Sequence, residues 1–149
     1  MHAFVAAGAG FLVAVLWFDL MFDVQTRGHR ADTIPVEILD SISAYYRRVT
    51  TEARPMGLLV ALVMGLTLFA TIAEIAAGAD RWVGWISAAA TASAVGLARL
   101  RIVRNAVRLG SAKDPLEVRT RLARTIYRDH CYCFAGMSLV VMLQLTAAL

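Results

Sequence analysis

Three residue types that build most small active sites are scarce in this chain of 149 residues. There are two cysteines, three histidines and three prolines. Two cysteines exclude a disulfide-stapled secreted scaffold, and Cys131 and Cys133, two apart on a helix, point to different faces and do not suit a bridge to each other. Of the histidines His2, His29 and His130, only His130 is expected beside a long apolar stretch. That excludes a bis-histidine haem inside a bilayer and a histidine-rich di-iron oxygenase. No phosphate-cradling glycine loop, zinc-ligand spacing or nucleophile elbow is present; Gly8-Ala9-Gly10 has no third glycine in register. Charge is scarce too, at 17% against roughly a quarter in soluble domains.

What is abundant is apolar surface, 59% of residues, with mean hydropathy +0.63. Four stretches carry no formal charge: Ala3–Phe18, Met56–Ala73, Trp82–Ala98 and Cys131–Leu149. With a flanking residue or two, each reaches the roughly 20 helical residues that a bilayer core of about 30 Å requires. The expectation is an all-α integral membrane four-helix bundle in one domain over residues 1–149, with spans near 3–24, 56–77, 82–100 and 130–149. Segments 25–55 and 101–129 are then cytoplasmic, because 14 of the 15 bases fall in them or beside them (Arg99) and only Arg81 lies in the opposite turn. Both termini face out. The first span has no base before it and no small-residue cleavage site after it, so it reads as a retained helix. With 14 arginines to one lysine and 26 alanines, the composition points to a GC-rich bacterium and its inner membrane. The net charge of +4 belongs to membrane boundaries and anionic lipid headgroups, so no nucleic-acid partner is expected.

Between the first two spans, Asp32-Thr33 and Pro35 signal a helix start. Val36, Ile38, Leu39, Ile42, Tyr45, Tyr46 and Val49 give an apolar-aromatic side, read as an amphipathic helix over Pro35–Glu52 along the cytoplasmic interface. Spans three and four extend into a basic cytoplasmic helical hairpin. Gly110 is the expected stop of one arm, and Asp114-Pro115-Leu116-Glu117 the capping box of the other. Trp82 and Trp85 mark an outer aromatic belt. Ala88, Ala92 and Gly96, like Ala6, Gly10 and Ala14, form small-residue packing faces.

Ionisable residues in membrane spans are functional candidates by default. Asp19, Asp23 and Arg27, spaced by four, share a face. They are either a charge ladder or a paired-carboxylate site in which like charges raise one pKa. Glu74, a turn from the outer loop, is expected to meet Arg81. His130, Cys133, Met137, Val140 and Gln144 line one face of span four. His130 and Cys133 could hold a soft metal, but core packing is the plainer reading, and Gln144 suits an interhelical hydrogen bond. No cofactor is predicted. Asp19, Asp23 and His130 are the candidate acid–base groups, at similar depth with Arg99 as an anion anchor and Tyr45 and Tyr46 covering them.

The layout resembles the anthrone-oxygenase-like family of small four-helix membrane proteins. The features are Gly10-Phe11 in span one, Tyr45-Tyr46 and Pro55-Met56 before span two, Trp82 or Trp85 opening span three, Asn105 beyond it and His130 opening span four. The Asp19/Asp23 pair departs from that family's more apolar helix end. The resemblance implies cofactor-independent oxidation of an aromatic or polyketide-like substrate. From the residues themselves, the leading expectation is a membrane protein holding an apolar or amphipathic molecule near its cytoplasmic mouth. An accessory subunit or self-associating scaffold is the second, and a proton-coupled small transporter the third.

Overall fold

A computed structural model describes residues 1–29, 33–78 and 81–149, with the side chain of Arg54 also outside the description. The expected start signal at Asp32 therefore lies outside the described residues. The described residues are 88% helical and contain no strand. In chain order they form α1 (His2–Asp23, closing in a 3-10 turn over Val24–Thr26), α2 (Val36–Arg47), α3 (Arg54–Ala76), α4 (Arg81–Leu97), α5 (Val103–Gly110) and α6 (Leu116–Ala147). Widened π-type turns at Arg48–Glu52 and Ala98–Ile102 continue α2 and join α4 to α5.

Four helical runs, His2–Thr26, Pro55–Ala76, Arg81–Gly110 and Leu116–Ala147, are long and apolar enough to cross a membrane. They close a ring in which α1 touches α3 and α6, and α4 touches the same two. Leu58, Leu62, Phe69, Trp82, Trp85 and Met142 point outward and stay exposed. Val5, Ala9, Leu12, Ala94, Met137 and Val140 fill the centre. On α4 the buried line is Val83, Gly84, Ser87, Thr91 and Ala94, whereas Ala92 is exposed and Gly96 half-buried. The small-residue stripe read as a packing face thus lies on the outer side of α4 at Ala92, with Ala88 and Gly96 half-buried.

At 32 residues α6 is about 48 Å long, more than a bilayer core needs. Its first half belongs to a second core with α2 and α5, built from Leu39, Ile42, Tyr46, Leu109, Ala123 and Ile126. The apolar side of α2 is therefore covered by protein. Arg119, itself buried, locks α2 to α6 through Asp40 (2.6 Å) and Ser43 (3.1 Å).

The hairpin's helices end close to their expected positions by different means. Gly110 is the last helical residue rather than a left-handed stop; that conformation falls on Ala112 (φ 52°). A Cβ on Gly110 would lie 2.7 Å from the Arg47 backbone nitrogen, so its missing side chain is what lets α2 and α5 touch. Asp114 does not cap α6. Both its oxygens accept from Arg108 at 2.8 Å, which holds its carboxyl below the usual range.

Candidate functional site

We call the end of the ring that carries α2 and the hairpin the basic end, and the opposite end distal. At the basic end, α1 presents Asp19 and Asp23 one turn apart. The 3-10 turn after Asp23 breaks the spacing of four, and Arg27 is exposed, with no ion pair to either acid among the described residues. A charge ladder through Arg27 therefore does not form, and the base that faces both acids comes from another helix.

Instead both acids face His130 and the tyrosines of α2. Asp23, completely buried, accepts from the Tyr46 hydroxyl at 2.6 Å on one oxygen and from His130 Nδ1 at 2.7 Å on the other. Both donors point at Asp23, so the 3.5 Å approach between Tyr46 and His130 Nδ1 is proximity and not a further hydrogen bond. Asp19 accepts from the Tyr45 hydroxyl at 2.6 Å, and Tyr45 stacks on Phe22 with ring centres 4.0 Å apart. His130 Nε2 stands 3.9 Å from Asp19, too far to be satisfied by it. Burial pushes both phenols above the ordinary tyrosine value, and the adjacent carboxylates push the same way.

Asp23 thus sets the tautomer of His130: with Nδ1 donating, the free ring nitrogen is Nε2. His130 and Asp19 also line an apolar cavity of about 160 Å³ inside the ring. Leu12, Leu16, Val60, Met64, Ile102 and Met137 supply its walls. Cys133 lies among them, and Thr91 reaches the end away from His130. The Thr91 hydroxyl is buried and has no hydrogen-bond partner among the described residues. An apolar cavity of roughly 150 Å³ stays dry and accepts a ring the size of benzene. Such a space, with one imidazole nitrogen unspent and one hydroxyl unpaired, can hold a ring-bearing molecule by shape and orient its polar groups.

The structure brings together Asp19, Asp23, His130, Tyr45 and Tyr46. It does not bring Arg99, which is exposed and does not line the cavity. Arg101 is exposed as well, and it does not line the cavity; from the outer side it donates through Nε at 2.6 Å and through a second nitrogen to buried Asp129. The widened turn over Ala98–Ile102 keeps Ile102 and Ala106 inside and leaves Arg99 on the outer surface. Among the described residues, no three His, Cys, Asp or Glu side chains converge as a metal site.

A second polar cluster, at the distal end, has one member from each long helix. His2 of α1 lies with Nδ1 2.6 Å from Glu74 of α3 and 2.8 Å from Gln144 of α6. The Gln144 amide donates to Glu74 at 2.9 Å and to Ser87 of α4 at 3.1 Å. Glu74 therefore pairs with His2 and Gln144, and not with Arg81. His2, expected to lie clear of the spans, opens α1 inside the bundle. Gln144 makes the interhelical bond expected of it. The signals for this cluster were polar residues in apolar runs (Glu74, Ser87, Gln144), but their partnership depends on helix rotation, which spacing alone does not fix.

The chain matches no family model, no curated protein and no solved structure.

Proposed function

We propose that this protein is a four-span protein of a bacterial inner membrane that binds an apolar, ring-bearing small molecule with an ionisable hydroxyl. The observation that carries the reading is the 160 Å³ apolar cavity with His130 and Asp19 at one end. The outward-facing leucines, tryptophans and phenylalanines suit lipid, and the arginine-rich end suits the cytoplasm, with both termini outside and α2 against the inner headgroups. His130 Nε2 is the proton acceptor for the ligand hydroxyl, Asp23 positions the ring and supports its charge, and Asp19 stabilises the cation that forms. Tyr45 and Tyr46 hold the two carboxylates in place. Oxidation of such a ligand is the finer possibility that the family resemblance implies.

The test is native mass spectrometry of the protein extracted gently from its own membrane. The expected result is an additional mass of a few hundred daltons, lost in His130→Ala. It is lost equally in Ala94→Leu, which fills the cavity and leaves the polar cluster intact. A bare protein, or an additional mass that survives both changes, rejects the reading.

One observation favours a second reading, a self-associating scaffold: the Ala92 and Gly96 stripe faces outward, where small residues let helices of two chains approach. In that case Ala92→Leu lowers the oligomer mass and leaves ligand retention unchanged.

A further inference from the structure

A groove of about 1010 Å³ runs along the outside of the ring between the α4–α5 helix and α6. It is separate from the cavity just described. Its basic end is lined by Arg101, Arg104, Arg108 and Arg128 with Asn105, against one carboxylate, Asp129. Two of the arginines are already held, Arg101 by Asp129 and Arg108 by Asp114. Arg128 comes no nearer than 3.9 Å to Asp129, and Arg104 has no acidic partner among the described residues. From these charges the groove climbs α4 past Leu100, Leu97 and Gly96 to Ser93, about 12 Å of low-polarity wall measured from Arg101. A Cβ placed on Gly96 meets nothing within 4 Å, so that stretch is open.

We propose that this groove binds an anionic phospholipid, its phosphate on Arg104 and Arg128 and one acyl chain along Leu100, Leu97 and Gly96. The polarity sequence matches such a lipid and no soluble anion: cations at the basic end, then an apolar trough running toward the middle of the ring. A second copy of the chain has few acids to offer these arginines. Asp40, Glu52, Asp114 and Asp129 are each held by a base of their own chain.

The test titrates the detergent-solubilised full chain with phosphatidylglycerol and with phosphatidylcholine of the same acyl chains, reading bound lipid by native mass spectrometry. An arginine at an anionic headgroup contributes about fivefold, so the two together give phosphatidylglycerol roughly a 30-fold preference. The preference falls below about threefold in R104Q/R128Q and is retained in R47Q, whose arginine pairs with Glu52 away from the groove. Both R104Q/R128Q substitutions are at exposed positions, so the variant folds. Equal binding of the two lipids overturns the proposal, as does a preference that survives R104Q/R128Q or one that R47Q also abolishes. Displacement of the lipid by equimolar glycerol phosphate shows a site for free anions and overturns it as well. So does a lipid-free dimer that R104Q/R128Q dissociates.

Discussion

The two ends of the ring use the same chemistry for opposite ends. Each has an imidazole against a buried carboxylate: His130 with Asp23 at the basic end, His2 with Glu74 at the distal end. At the distal end Gln144 uses its oxygen toward His2 and its nitrogen toward Glu74 and Ser87, which ties all four long helices together, while Glu74 Oε1 has only the ionic approach of His2 among the described residues. Both imidazoles are held through Nδ1, and the difference lies in what surrounds them: His130 shares a cavity wall with Asp19. The cavity is lined by none of the distal residues. A buried ion pair by itself therefore says little about function. The informative feature is a polar atom left over beside space that a ligand can occupy.

The largest effect expected is at the basic end. Asp23→Ala strips the acceptor from two buried donors, Tyr46 and His130. Breaking a buried pair in this way costs about 3–5 kcal/mol. Thermal unfolding in detergent should register it, together with loss of the retained ligand. If Asp23→Ala left ligand retention intact, the two ends would be equivalent clasps and the contrast would fail.

Gln144→Leu should cost less, about 1–3 kcal/mol, since it removes a neutral amide and leaves Ser87 and one Glu74 oxygen without their donor. Ligand retention should stay at the wild-type level. A retention defect as severe as that of His130→Ala would make the distal cluster part of the site.

Gly110→Ala probes the support of the basic end from outside the ring. The new methyl meets the backbone of α2 at Arg47 and Tyr46, where nothing flexible can yield, and forcing α2 away costs about 1–3 kcal/mol. Because α2 carries both tyrosines, retention should weaken along with the melting temperature.

The smallest effect is on alkaline stability. Unfolded tyrosines ionise near pH 10. In the folded chain burial and the carboxylates hold Tyr45 and Tyr46 protonated beyond that point. The unfolded state therefore releases these protons first, and stability declines as the pH rises above about 10 and continues to fall toward the raised folded values. Melting temperatures between pH 9 and 11.5 should drop more steeply in the wild type than in Y45F/Y46F.

Much of this was legible in the residues. Four uncharged stretches give the four long helices, and shared depth on α1 and α6 brings Asp19, Asp23 and His130 together. Tyr45 and Tyr46 could be placed over them because they lie on the inner side of an amphipathic helix. What spacing could not convey was rotation. The widened turn at Ala98–Ile102 leaves both Arg99 and Arg101 on the outer surface, and the partner of Arg101, Asp129, sits beside His130 with no pattern to advertise it. Small residues were equally ambiguous. Ala92 and Gly96 repeat like a packing face, yet Ser87 and Thr91 occupy the inside because their hydroxyls are compact enough to be buried there. The apolar side of α2, read as lying along the membrane interface, is covered by α5 and α6, since two further apolar helix faces compete for it.

The distal clasp also sets a timetable for biosynthesis. Seventy residues separate Glu74 from Gln144, which at 5–20 residues per second is about 4–14 s of translation. If the chain is inserted span by span, as the proposed membrane reading requires, that carboxylate passes through this interval with His2, already made, as its ion-pair neighbour among the described residues. The first turn of α1 thus gives α3 a temporary polar partner, and α6 completes the set only when it arrives.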